Sequence, residues 1–153
     1  MTEPCSACTA TEAASQAISR RGARMTGLRR DVLSVLHHEA RALGAYEIVE
    51  QLEDDGKSSA PAAIYRVLDF LVENGLAHKI EGLSAYSACS GAGVEGPHAS
   101  VLLVCLDCGA VAENPCKIEA PLGGFEARTG FHPLSITVES LGVCAACQAE
   151  NNA

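Results

Sequence analysis

Two cysteine pairs constrain this chain more than any other feature. Cys105 and Cys108 lie in "CLDCG", Cys144 and Cys147 bound "CAAC", and 35 residues stand between the pairs. Zinc takes four ligands in a tetrahedron, and each C-x2-C turn supplies two thiolates to one edge of it. Gly109, directly after Cys108, permits the tight backbone that such a turn requires. The second pair follows a β-rich stretch, "PLSITVESL", so folding would bring the two turns together. A unit of about 50 residues buries little surface, and a metal clip across its ends would contribute much of its folding. The expectation is a structural zinc. Two alternatives stand beside it, a pair of unrelated thiol turns and a redox dithiol. A redox site wants one C-x-x-C opening a helix in a βαβ pattern, and neither pair has that setting. The interval is also longer than a simple zinc ribbon uses.

The cysteines argue for metal because the chain reads as cytoplasmic. "MTEPCSACTATEAA" has neither a basic start nor an apolar stretch, so no secretory signal is expected. The longest apolar run, "ASVLLVCL", is too short to span a bilayer. Eight cysteines in a reducing compartment point to metal before disulfides.

The rest of the chain organises into two parts. Residues 1–18 lack periodicity and read as a loose arm or a frayed helix start. Thr26 is a plausible N-cap for a helix whose inner face is Leu28, Val32, Val35 and Leu36. A second helix starts near Ala45, is lined by Ile48, Val49 and Leu52, and stops at Gly56. The third, "SSAPAAIYRVLDFLVENG", offers Ser59 or Ala60 as cap, Pro61 in its first turn and Gly75 as its stop. Ile64, Val67, Leu68, Leu71 and Val72 form its buried stripe, which leaves Tyr65 and Arg66 displayed. "LAHKIE" and "AYSAC" around Gly82-Leu83-Ser84 read as a hairpin. Three helices followed by a hairpin is the winged helix-turn-helix order. The expected fold is therefore α+β. A winged-helix domain covers 1–89, a linker "SGAGVEGP" covers 90–97, and a small α/β domain covers 98–153.

The formal net charge of -8 argues against a polyanionic partner, but its distribution does not. Arg20, Arg21, Arg24, Arg29 and Arg30 cluster with no acid between Glu12 and Asp31. A local basic patch governs docking even on an acidic protein. These arginines suit phosphates, or else form a solvated helix face. Arg66 suits guanine O6/N7, and Tyr65 suits the methyl group of thymine.

Other ligand-type residues flank the linker. His78 sits in the first wing segment, Cys89 closes the second, His98 opens the small domain and Glu113 ends its second strand. Spacing alone leaves each a dull reading: a wing residue, a small hydrophobe, a solvated charge. An enzyme is disfavoured. A zinc deaminase needs H-x-E followed by P-C-x-x-C, whereas here P-C-x-x-C at 4–8 precedes H-x-E at 37–39. No small organic substrate is expected.

"AIYRVLDFLVENGLAHKIE", "YSAC", "PHAS", "CLDCGAVAE" and "LGVCAAC", in that order and spacing, resemble the ferric uptake regulator family, and most closely its zinc uptake regulator branch. The resemblance runs from about Met25 to Cys147. It implies a homodimeric, zinc-responsive repressor of zinc-uptake genes that binds palindromic operator DNA. It implies two zinc ions per subunit. One is structural, at Cys105, Cys108, Cys144 and Cys147, and one is regulatory, at His78, Cys89, His98 and Glu113. It supports Tyr46, Tyr65 and Arg66 as DNA contacts, with helix packing as the other reading of Tyr46. The histidine cluster that iron-sensing relatives carry before the CxxCG turn is reduced here to His98 in "PHAS". Cys89 among the ligands also favours a soft metal. A same-family sensor of iron, manganese or peroxide and a non-DNA zinc adaptor are the competing readings. Cys5, Cys8, Cys116 and His132 lie outside the pattern and receive no role.

Overall fold

The structure is a computed structural model that describes residues 6–20, 22–57, 59–90, 99–114, 128–131 and 136–151. The chain divides into two compact units, Met1–Gly93 and Val94–Ala153.

The first unit carries four helices and a hairpin among its described residues: α1 (Ser6–Arg20), α2 (Gly27–Glu39), α3 (Ala45–Asp54), α4 (Pro61–Glu73), β1 (Ala77–Ile80) and β2 (Ala85–Ala88). Of the two readings of residues 1–18, a loose arm gives way to a helix: α1 runs for 15 residues. From residue 10 onward, Thr11, Ala14, Ser15, Ala17 and Ile18 are its buried positions, at helical spacing. Four of those five are small or hydroxyl-bearing, so no apolar stripe marks the helix in the sequence. Ser15 and Ser19 return their hydroxyls to carbonyls one turn back, Thr11 and Ser15, at 3.0 Å each. That lets Ser15 enter the interior with its donor satisfied.

The remaining helices follow their sequence signals. Thr26 caps α2 by accepting from the Arg29 N–H. Val32, Leu33, Val35 and Leu36 of α2, Ile48, Val49 and Leu52 of α3, and Ile64, Val67, Leu68 and Leu71 of α4 form one core with Ala14 and Ile18 of α1. Val72 packs at its edge. Pro61 opens α4, and Gly75, with φ +68°, carries the chain out of it in the left-handed conformation that glycine tolerates.

The hairpin is antiparallel, with Ala77 opposite Ala88, His78 opposite Ser87, Lys79 opposite Tyr86 and Ile80 opposite Ala85. Leu43 bridges to Tyr86 through both backbone bonds, 2.9 and 2.8 Å, and so extends the wing on its other side. Ala77 and Tyr86 belong to the helical core, and Ala88 packs against it. Strand alternation therefore turns His78, Ile80, Ala85 and Ser87 to the opposite face.

The second unit holds β3 (Ala99–Cys105), β4 (Val111–Asn114), β5 (Ile136–Gly142) and a short α5 (Ala145–Asn151). The sheet order is β4-β3-β5, antiparallel between β3 and β4 and parallel between β3 and β5. Leu102 and Val104 are buried on one face. Val101 and Leu103 lie on the other, in register with Val138 and Ser140, and Leu103 and Val138 are exposed there. Most of the expected linker falls outside the described residues.

Candidate metal centres and nucleic-acid face

The two cysteine turns converge at one end of the small sheet. β3 delivers Cys105, and the turn closes through Gly109 N–H to Cys105 O at 3.0 Å and Cys105 N–H to Ala110 O at 2.9 Å. Gly109 has φ +72°, the conformation anticipated after Cys108. β5 runs parallel to β3, with Gly142 beside Cys105, so the second turn begins where the first one does. Leu106 N–H donates to Gly142 O at 2.8 Å and ties the turns together.

All four sulfurs lie within 4.8 Å of one another. Cys105 and Cys147 are 3.9 Å apart, and Cys108 and Cys144 are 3.8 Å apart. A tetrahedron with zinc–sulfur bonds of about 2.3 Å has edges of about 3.8 Å. The thiols are free, and these separations are far beyond a disulfide bond of about 2.05 Å. Four soft ligands at tetrahedral spacing fit zinc, and the redox alternative loses its ground. The backbone N–H groups of Cys108 and Cys144 face the Cys105 sulfur, the latter at 3.3 Å, and lower its pKa to about 6. The neighbouring thiols of Cys144 and Cys108 push Cys147 up. Binding a cation requires thiolates, so it displaces whatever protons the sulfurs still carry.

The hairpin of the first unit carries a second ligand pair. His78 is 9% exposed and Cys89 fully buried. Their ligating atoms approach within 4.8 Å of each other, close enough to share an ion. Cys89 is fixed by its own N–H, which donates to Leu76 O at 2.9 Å and continues the strand pairing past β2. In the second unit Glu113 stands on β4 opposite Leu102 and is half-buried. His98 lies outside the described residues, as do Cys5, Cys116 and His132.

On α4, burial of Ile64, Val67, Leu68 and Leu71 turns Tyr65 and Arg66 outward, and Tyr65 is 43% exposed. Tyr46 is 66% exposed in the first turn of α3, which removes the helix-packing reading. That turn is held by Glu47, whose carboxylate accepts from Gly44 N–H at 2.7 Å and from Arg41 at 2.9 Å. Both bonds hold the Glu47 carboxyl below its ordinary pKa, the Gly44 N–H being the larger cause.

The basic cluster divides in two. Arg20, Arg24 and Arg30 line an open groove between α1 and the start of α2. Arg29 is committed elsewhere: its guanidinium sits 3.4 Å from the Phe70 ring centroid and donates to Arg24 O. It thereby ties the loop before α2 to α4, a role the sequence alone did not signal. Arg21 lies outside the described residues.

The profile of the ferric uptake regulator family matches residues 20–141. This chain belongs to the ferric uptake regulator family. Among its relatives in that family is the zinc uptake regulation protein of Escherichia coli strain K12, 32% identical over 130 residues, which cover 84% of this chain and 75% of that one. The zinc uptake regulation protein of Mycobacterium tuberculosis strain H37Rv is 28% identical, covering 86% and 100%. Among solved structures, a zinc uptake regulator complexed with zinc and DNA superposes with a TM-score of 0.86 at 28% identity, covering 98% of this chain and all of that one. Holo XcZur superposes with a TM-score of 0.77 at 33% identity, covering 92% and 98%. These neighbours carry the winged-helix and dimerisation units of the family, and the zinc branch is the one this chain joins.

Proposed function

We propose that this protein is a zinc-responsive transcriptional regulator, a repressor of zinc-uptake genes that binds palindromic operator DNA as a zinc-loaded homodimer. It is not an enzyme. The observation that carries the reading is the buried His78–Cys89 pair. It stands in the hairpin directly after α4, the helix that displays Tyr65 and Arg66. Metal ligands are thus built into the framework of the DNA-reading unit. The family relatives named for zinc uptake, and the neighbour complexed with zinc and DNA, support the same conclusion.

Two zinc ions per subunit are assigned. Cys105, Cys108, Cys144 and Cys147 hold the structural one. His78, Cys89, His98 and Glu113 hold the regulatory one, with ligands drawn from both sides of the linker. An ion so held fixes the angle between the reading unit and the pairing unit. In a dimer that angle sets the spacing of the two α4 helices. Operator half-sites recur at about 34 Å per turn, so spacing decides whether both helices dock. Added charge is the weaker mechanism. Zinc brings two positive charges and Cys89 gives up a proton, a gain of about one unit per subunit.

The dimer surface is assigned to the second unit. Val101, Leu103 and Val138 share a face of its sheet, and β5 is one of the two edge strands among the described residues. Among the described residues no helix is long and apolar enough to cross a membrane. The site of action is the cytoplasm, where the operator is. Operator-shift assays at buffered free zinc, iron and manganese test the reading. Binding that rises with zinc alone supports it, and binding that ignores zinc and follows iron or an oxidant contradicts it.

A further inference from the structure

One buried polar atom in the hairpin has no partner. Ser87 is 4% exposed, and its Oγ makes no hydrogen bond. Buried hydroxyls are almost always paired, so an orphan calls for a physical reason. Its surroundings supply one. Ser87 stands directly opposite His78 in the antiparallel register. Directly opposed residues project from the same face with their Cβ atoms about 4.5–5.5 Å apart. Among His78, Ile80, Ala85 and Ser87, the residues of that face, Ser87 alone can serve the imidazole as a hydrogen-bonding side chain. Cys89 follows Ser87 by two residues, and its sulfur is within 4.8 Å of the His78 ligating atom.

A histidine that binds metal through one ring nitrogen carries its proton on the other. That N–H nearly always donates to an outer partner, which fixes the tautomer and the ring orientation. We propose that Ser87 is the positioning residue for His78: its Oγ accepts the imidazole N–H left over when His78 holds an ion. The proposal rests on the regulatory-zinc reading and extends it by one residue. The competing partner for Ser87, the Cys89 thiolate, lies two residues along the same chain. That is about 6.5 Å between Cα positions, a poor reach for so short a side chain. The orphan hydroxyl is then a group that remains unsatisfied until the ring opposite it is locked by metal.

The test uses the full chain as wild type, Ser87→Ala and Ser87→Thr, with the four-cysteine site loaded throughout. Zinc affinity at the second site is read by chelator competition. The His78 imidazole N–H is read by NMR, and the melting temperature is read without zinc at that second site. Ser87→Ala is expected to weaken the second zinc about 10–100-fold, and to expose the His78 N–H to fast solvent exchange. It should not lower the melting temperature, because the orphan hydroxyl has gone. Ser87→Thr restores the hydroxyl and most of the affinity. Wild-type affinity in Ser87→Ala, an equally protected N–H, or a loss of affinity that merely tracks a lower melting temperature overturns the proposal. A wild-type protein that takes up no second zinc at all overturns the regulatory reading beneath it, and is distinguished by that stoichiometry.

Discussion

Cys105 and Cys147 stand with their sulfurs 3.9 Å apart although 42 positions separate them in the chain. The parallel pairing of β3 with β5 makes this possible, because Cys105 ends one strand beside Gly142 at the end of the other. The sheet brings the turns together, and in the proposed centre an ion joins them. Removal of the structural zinc by a strong chelator, or Cys108→Ser, should therefore unfold the second unit and dissociate the dimer. Structural zinc sites contribute on the order of 10 kcal/mol in small domains. Calorimetry and sedimentation with and without chelator check this. Retention of a stable dimer without metal would be the contrary result.

Arg66→Ala should weaken operator binding by about 1–3 kcal/mol and relax the preference for guanine at one position of each half-site. Zinc affinity of the free protein should stay unchanged, since Arg66 is exposed on α4 and is not one of the proposed ligands. Binding to a panel of operator variants reads the specificity. A uniform loss across all sequences would instead make Arg66 a phosphate contact.

Ile18→Ala should destabilise the first unit by about 2–4 kcal/mol, the usual cost of truncating a fully buried isoleucine. Denaturant unfolding of wild type and variant measures it. This prediction tests the element that sequence patterning does not reveal. α4 was legible because Ile64, Val67, Leu68 and Leu71 repeat at helical spacing between Pro61 and Gly75. α1 was not, because its inward face is built from Thr11, Ala14, Ser15 and Ala17, residues that polarity patterns count as neutral. At the sites, the four cysteines announced themselves by spacing and ligand type. Ser87 did not, because an orphan hydroxyl is a property of packing. The Arg29–Phe70 stack joins residues 41 positions apart and has no local sequence signal.

The Glu47 carboxyl is held below its ordinary pKa by Gly44 N–H and Arg41. A depressed carboxylate contributes stability above its unfolded-state pKa, and that contribution disappears as pH falls through the folded value. Glu47→Gln should therefore be less stable than wild type near neutral pH, by a few tenths to about 1 kcal/mol for a partly exposed pair. The gap should close on acidification into the carboxylate range. Urea midpoints of both proteins across that range give the comparison, and a gap that widens on acidification would reverse the sign of the argument.

The most direct measurement of the central claim is operator affinity across buffered free zinc for wild type and Cys89→Ser. The account predicts that wild type tightens on DNA as zinc rises, by a factor of about 5–150 if the coupling is of ordinary size. Cys89→Ser should remain folded, dimeric and loaded at the four-cysteine site while its affinity stays flat. A variant that responds to zinc as wild type does, or one that loses its fold or its dimer, would contradict it.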